Sequence, residues 1–305
     1  MIRYCLVFLL ALPLLGLPRV GMAFESRLIS FEHDGKTRSA ILDAAPGLRN
    51  APMLVALHGG LAGPRSVRRR ANVSLAREGW AVLWPYALGD WNDGRTDWTG
   101  EPYDEADDIG FLRSLIGSLA ERGMVDPRRV YFAGPSIGGI MVLRLLCDAP
   151  DLVAGAAVAI ASFPRGFECR EGPARPVLFL HGTEDWLVPA GGGRIGGWNP
   201  LVRDRGWVQP ARKTVSVLAE RNGCNGFEER ALPDRNTTDS STVTLRQYEG
   251  CSVPFLHYVI EGGGHTWPGG PASGLGERIV GATNRDISAT DEIERFFKAL
   301  DRASR

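Results

Sequence analysis

The sequence has no excess of either charge: 35 Lys and Arg stand against 35 Asp and Glu in 305 residues. That balance gives no electrostatic reason to expect a nucleic acid or an anionic membrane as partner. The cluster Arg68-Arg69-Arg70 reads as a solvated face. Cysteine and histidine are scarce, five of each. No Cys-x-x-Cys pair or Cys/His cluster has zinc spacing, so neither a metal nor a cofactor is expected. Internal repeats, low-complexity tracts and long Pro/Ser/Thr linkers are missing too, which argues for one domain.

Long apolar runs are also lacking, apart from Cys5 to Leu17. That run is interrupted by Pro13 and too short for a comfortable membrane span. With Arg3 before it and Gly21-Met22-Ala23 after it, residues 1–23 read as a signal peptide and 24–305 as the mature domain. The expected location is then extracellular or periplasmic, with no membrane partner after cleavage. Losing Cys5 leaves Cys147, Cys169, Cys224 and Cys251, for which an oxidising compartment leaves three pairings open.

What remains is an ordinary globular composition, 44% apolar and 23% charged, enough for a full core. Short apolar runs without polar alternation recur at Pro52–Leu57, Trp80–Trp84, Val130–Ala133 and Val177–Leu180. Such runs suit strands buried on both faces of a parallel sheet. Helical spacing falls between them, as in Ile109, Leu112, Ile116 and Leu119 with Gly123 as the stop. Ile293, Phe296, Phe297 and Leu300 mark another helix, with Ser288 and Asp291 placed as a capping box. The alternation predicts an α/β fold with a doubly wound, mostly parallel sheet and helices on both faces. Gly191 to Gly197 reads as a loop.

The chemistry concentrates at Gly134-Pro135-Ser136-Ile137-Gly138-Gly139. This G-x-S-x-G sits where a strand ends and a helix begins, the context of a nucleophile elbow. A serine hydroxyl needs a base, and the chain order Ser, acid, His leaves His181, His257 and His265 downstream. His181 precedes any plausible acid, and His257 lies inside the apolar run Phe255–Ile260. His265 lies in Gly262–Gly270, a loop after that run, where such sheets carry their reacting groups. The acid follows Val177–Leu180, where Glu184 and Asp185 are adjacent and periodicity does not choose between them. Oxyanion donors are expected from the Ile137 amide and from the His58-Gly59-Gly60-Leu61 loop, with Gly60 first and Leu61 second. Trp91, Trp186 and Trp267 lie in segments expected at the same face, as walls of an acyl pocket or as packed loop residues.

Taken in order, these blocks resemble secreted bacterial esterases of the polyhydroxybutyrate depolymerase and feruloyl esterase type. The residues concerned are Leu57-His58-Gly59-Gly60, Trp91-Asn92-Asp93, Asp107 to Phe111 and Val125 to Tyr131. The elbow follows, then His181-Gly182-Thr183 through Pro189, and Gly263 to Gly269. The resemblance spans residues 28 to 300 and implies the α/β-hydrolase fold and hydrolysis of carboxylic esters through an acyl-enzyme. Hydroxyalkanoate oligomers or acyl and feruloyl groups on polysaccharide are the implied substrates. It further implies Asp185 as the acid, giving the triad Ser136, Asp185 and His265. It also implies a Cys224–Cys251 disulfide, expected to hold the segment leading to His265. Pro135, Ile137 and Gly60 depart from the family's usual leucine, polar residue and cysteine, and all three border the acyl site. Two other readings stay open on the residues alone, a prolyl-peptidase-like peptidase and a non-catalytic binding protein on the same scaffold.

Overall fold

The computed structural model describes residues 21–60, 63–97, 99–197, 204–271 and 274–305. Residues 1–20 of the expected signal peptide and the second oxyanion candidate, Leu61, lie outside the described residues.

The first two strands, β1 (Glu25–His33) and β2 (Lys36–Ala44), form a hairpin; β3 (Ala51–Ala56) and α1 (Pro64–Ala71) follow. Next come β4 (Ala81–Pro85), α2 (Asp108–Glu121), β5 (Val125–Pro135) and α3 (Ile137–Asp148). Then come β6 (Gly155–Ala159), β7 (Val177–Gly182), the short pair β8 (Gly193–Arg194) and β9 (Trp207–Val208), and α4 (Ala211–Arg221). The chain closes with β10 (Gly226–Ala231), β11 (Thr242–Glu249), β12 (Phe255–Glu261), α5 (Gly274–Val280) and α6 (Ala289–Ala303).

Among the described residues ten strands make one sheet, in the order β1-β2-β4-β3-β5-β6-β7-β12-β11-β10. The central strands β4, β3, β5, β6, β7 and β12 pair in parallel, and the flanking pairs are antiparallel. From β3 the chain steps to β4 on one side and then crosses to β5 on the other. The strand order therefore reverses between β3 and β5, and the crevice at their carboxyl ends is where an open α/β sheet holds its ligand.

The unbroken apolar runs are explained by burial on two faces. Met53 and Val55 of β3 with Val130 and Phe132 of β5 join a core with α2, α3 and α4. Leu54, Ala56, Tyr131 and Ala133 face the opposite core with Ala71 of α1 and with α6. The helix ends follow local rules: Asp107 caps α2 by accepting the Gly110 N–H at 2.9 Å, and Gly123 beyond it has φ +66°. Ser288 caps α6 by accepting the Asp291 N–H at 3.2 Å.

One expectation needs correction. The Gly191–Gly197 segment is not wholly loop, because Gly193–Arg194 pairs antiparallel with Trp207–Val208. The expected Cys224–Cys251 bond is present, with Cys251 before the start of β12, the strand that leads to His265. The disulfide thus ties the opposite end of the strand, a strand length of about 20 Å away. A second disulfide joins Cys147, at the end of α3, to Cys169.

Candidate active site

The elbow is built as the glycine spacing requires. Ser136 has φ 55° and ψ −128°, a conformation few non-glycine residues adopt, between the end of β5 and the start of α3. Its backbone N–H donates to Ala159 O at 2.9 Å, while its side chain does not cap the helix it begins. The flanking glycines permit the approach: a Cβ on Gly134 would lie 2.5 Å from the Gly138 carbonyl carbon. One on Gly138 would lie 2.5 Å from the Leu57 carbonyl oxygen. Strand, helix and β3 loop therefore meet at a distance only glycine allows.

The parallel pairing of β7 with β12 brings the other two residues together. Gly182 stands opposite Ile260, so the loops leaving these strands run side by side. Thr183 N–H donates to Ile260 O at 3.0 Å, Gly262 N–H donates to Thr183 Oγ1 at 3.0 Å, and Glu184 N–H donates to Gly263 O at 2.9 Å. This lacing places the Asp185 Oδ2 2.7 Å from His265 Nδ1. The other carboxylate oxygen, Oδ1, accepts the Val188 N–H at 2.8 Å. Asp185 is buried and Glu184 exposed, so the two adjacent acids point apart and only Asp185 meets the imidazole. Ser136 and His265 line the same cleft, of about 490 Å³, together with Gly59, Gly60 and Trp267.

The β3 loop is braced from behind. His58 is buried, and its Nε2 accepts the Ala87 N–H at 3.2 Å. The proton is then on Nδ1, which donates to Gly59 O at 2.9 Å. Trp91 Nε1 donates to the His58 carbonyl at 2.9 Å. Gly60 faces the first turn of α3: a Cβ on it would lie 2.6 Å from Ile137 Cδ1 and 2.6 Å from Arg205 Nη2. The first amides of a helix have no intrahelical partner, which leaves the Ile137 N–H open to a ligand.

Of the three tryptophans, only Trp267 is among the described residues lining the cleft. Trp91 is fully buried in the core beneath the β3 loop, and Trp186 packs against Gly197. Neither is among the described residues that line the cleft. Their positions in sequence near catalytic-face loops do not reveal which way each ring turns.

Sequence reasoning missed the supports of the site. Arg205 Nη2 is clamped on Asp90 at 2.7 and 2.5 Å, and its carbonyl accepts from Arg95 Nη1 at 2.8 Å. Arg95 is itself fully buried on Asp93. Burial pushes the Asp93 carboxyl up to about 6, against the pull of the adjacent Arg95. Asp108 accepts the Asn92 N–H at 2.7 Å and pairs with buried Arg38 at 2.5 Å. Beneath the site His257 Nε2 meets His181 Nδ1 at 3.0 Å, and burial holds His181 down to about 4 and His257 well below its usual range. Apart from Arg95 on Asp93, two residues away, and Asn92 with Asp108, these partners lie 70 residues or more apart in the chain, so no local spacing announces them.

No family profile matches the chain. It is 28% identical over 276 residues to NocK of Nocardia uniformis subsp. tsuyamanensis, which bears an esterase's name, covering 86% of this chain and 80% of that protein. It is 30% identical over 169 residues to feruloyl esterase B of Piromyces equi, covering 53% of this chain and 29% of that one. Against poly(3-hydroxyalkanoate) depolymerase C of Paucimonas lemoignei it is 25% identical over 273 residues, covering 81% and 63%. The chain thus spans less than two thirds of the length of the last two. Among solved structures, an acetyl xylan esterase from Aspergillus awamori shares the fold with a TM-score of 0.54 at 15% identity, over 79% of this chain and 94% of that one. The chain is similar in sequence to esterases and has an α/β-hydrolase-like fold.

Proposed function

We propose that the protein is an extracytoplasmic serine esterase with Ser136 as nucleophile, His265 as base and Asp185 as the residue that orients the base. The observation that carries the reading is the 2.7 Å Asp185–His265 contact opening onto the cleft that also exposes the strained Ser136. Buried Asp185 fixes the proton on Nδ1 and leaves Nε2 free to accept from the serine. Ser136 Oγ then attacks the ester carbonyl carbon while its proton passes to His265. The Gly60 and Ile137 amides receive the oxyanion. Collapse of the tetrahedral intermediate expels the alcohol, protonated by His265, and water repeats the sequence to release the acid.

The substrates in this reading are hydroxyalkanoate oligomers or acyl and feruloyl esters on polysaccharide. Two disulfides support an oxidising location outside the cytoplasm. Fluorophosphonate labelling of wild type and Ser136→Ala tests the nucleophile, and labelling that persists in the variant removes Ser136 from the mechanism. A panel of p-nitrophenyl esters, hydroxybutyrate oligomers, methyl ferulate and acetylated xylan tests the substrate class. Loss of a triad member should cost on the order of 10⁴ to 10⁶ in rate.

A further inference from the structure

Beside the cleft a second cavity of about 20 Å³ lies beneath α1. It shares Val67, Ala71, Pro135 and Trp267 with the cleft and is lined by Leu54 and Ile293, which the cleft does not touch. Two polar residues lie on its wall, and both have their polar atoms engaged elsewhere. Thr290 Oγ1 donates to the Ala71 carbonyl at 2.6 Å and accepts from Trp267 Nε1 at 3.0 Å. Glu294 turns both carboxylate oxygens to Ser74, accepting from its N–H at 2.5 Å and its hydroxyl at 2.6 Å. A guest in this cavity therefore meets hydrocarbon and no free side-chain donor or acceptor. A cavity of this size admits about one methyl-sized group. The Trp267–Thr290–Ala71 relay ties the base-bearing loop, α6 and α1 together, so the width of the cavity is held by hydrogen bonds across three elements.

We propose that this cavity is an alkyl subsite, which takes the short hydrocarbon branch of the ester and sets its chain-length preference. The proposal rests on the reading of the adjoining cleft as catalytic. An ester whose reacting carbon sits at Ser136 has its apolar branch near Pro135, the neighbouring residue that lines both the cleft and the side cavity. A methyl branch fits; buried Ile293 in the cavity wall leaves no room for a longer one. A polar branch would lose its hydrogen bonds to water and gain none.

Ile293 lines the side cavity but not the cleft, so shortening it lengthens the subsite without touching the catalytic face. The test measures kcat/KM of wild type, Ile293→Ala and Ile293→Val in two series, with active sites counted by fluorophosphonate labelling. One series varies the acyl chain of p-nitrophenyl esters from acetate to hexanoate; the other varies the alcohol of alkyl acetates. Ile293→Ala is expected to raise the long-to-short ratio about fourfold per methylene admitted, in the series whose branch occupies the subsite. Ile293→Val should move the same ratio in the same direction by less, and it keeps the test alive if the alanine variant does not fold. Unchanged ratios in both series, in protein that labels normally, overturn the alkyl subsite alone. Failure of wild-type protein to label overturns the catalytic reading beneath it.

Discussion

Replacing Asp185 by asparagine tests the proposed acid through hydrogen-bond direction alone. Asp185 Oδ1 accepts the Val188 N–H at 2.8 Å and Oδ2 faces His265 Nδ1 at 2.7 Å. In Asp185→Asn the Val188 N–H still requires an acceptor, so the amide oxygen takes the Oδ1 position and the NH₂ group faces the imidazole. His265 Nδ1 must then accept, which moves the ring proton to Nε2. That tautomer cannot take a proton from Ser136. The expected loss is about 10⁴ in kcat, or roughly 5.5 kcal/mol of transition-state stabilisation. Side-chain volume is unchanged and both hydrogen bonds can still form, so the melting temperature should move by only a few degrees. Glu184 is exposed and engages Gly263 through its backbone N–H, so Glu184→Gln should keep nearly full activity. The assay is kcat on p-nitrophenyl butyrate beside a thermal melt for both variants. Comparable activities, the reverse ranking, or a loss matched by unfolding would refute the reasoning.

Gly60→Ala should lower kcat about tenfold or more with KM little changed, because its Cβ would lie 2.6 Å from both Arg205 Nη2 and Ile137 Cδ1 and one oxyanion donor is worth about 10²–10³. Unchanged kinetics would place the oxyanion elsewhere. Stability should fall as pH drops from 6.5 to about 4, since the unfolded chain takes up protons there that half-buried His181 and buried His257 refuse. The first cause is burial; for His257 the neighbouring His181 comes next, and Arg246 adds to both, while the His181 shift corresponds to roughly 3 kcal/mol. Asp93, raised to about 6, titrates with the opposite sign in that window. Comparing wild type with His257→Phe by urea unfolding at pH 7 and 4.5 cancels its contribution, and equal pH slopes would refute the histidine account. Removing the Cys224–Cys251 bond, which closes a separation of 27 residues, should cost roughly 3.5 kcal/mol in the chain-entropy model. Calorimetry of Cys224→Ser/Cys251→Ser checks this, and activity well below the melting temperature should persist because the bond lies at the far end of β12 from His265.

The amino-acid sequence by itself determined the features whose physics is local. Apolar runs without alternation require strands covered on both faces, and β3, β5 and β7 are so covered. Gly134 and Gly138 around Ser136 require a close turn, and the sharp passage from β5 to α3 follows from them. Ser288 announced a helix start through its own side chain. Local patterns did not separate Glu184 from Asp185, nor assign the tryptophans, because neighbours in a loop share position but not direction. Tertiary structure decided those points: the β7–β12 pairing turns Asp185 inward to His265, and the core beneath His58 claims Trp91. It also decided the supports and the side cavity. Asp90 and Arg205, or Ala71 and Thr290, meet only when the sheet and its covering helices have assembled. Contacts between distant segments carry no periodicity, since loop closure rather than local spacing brings them together.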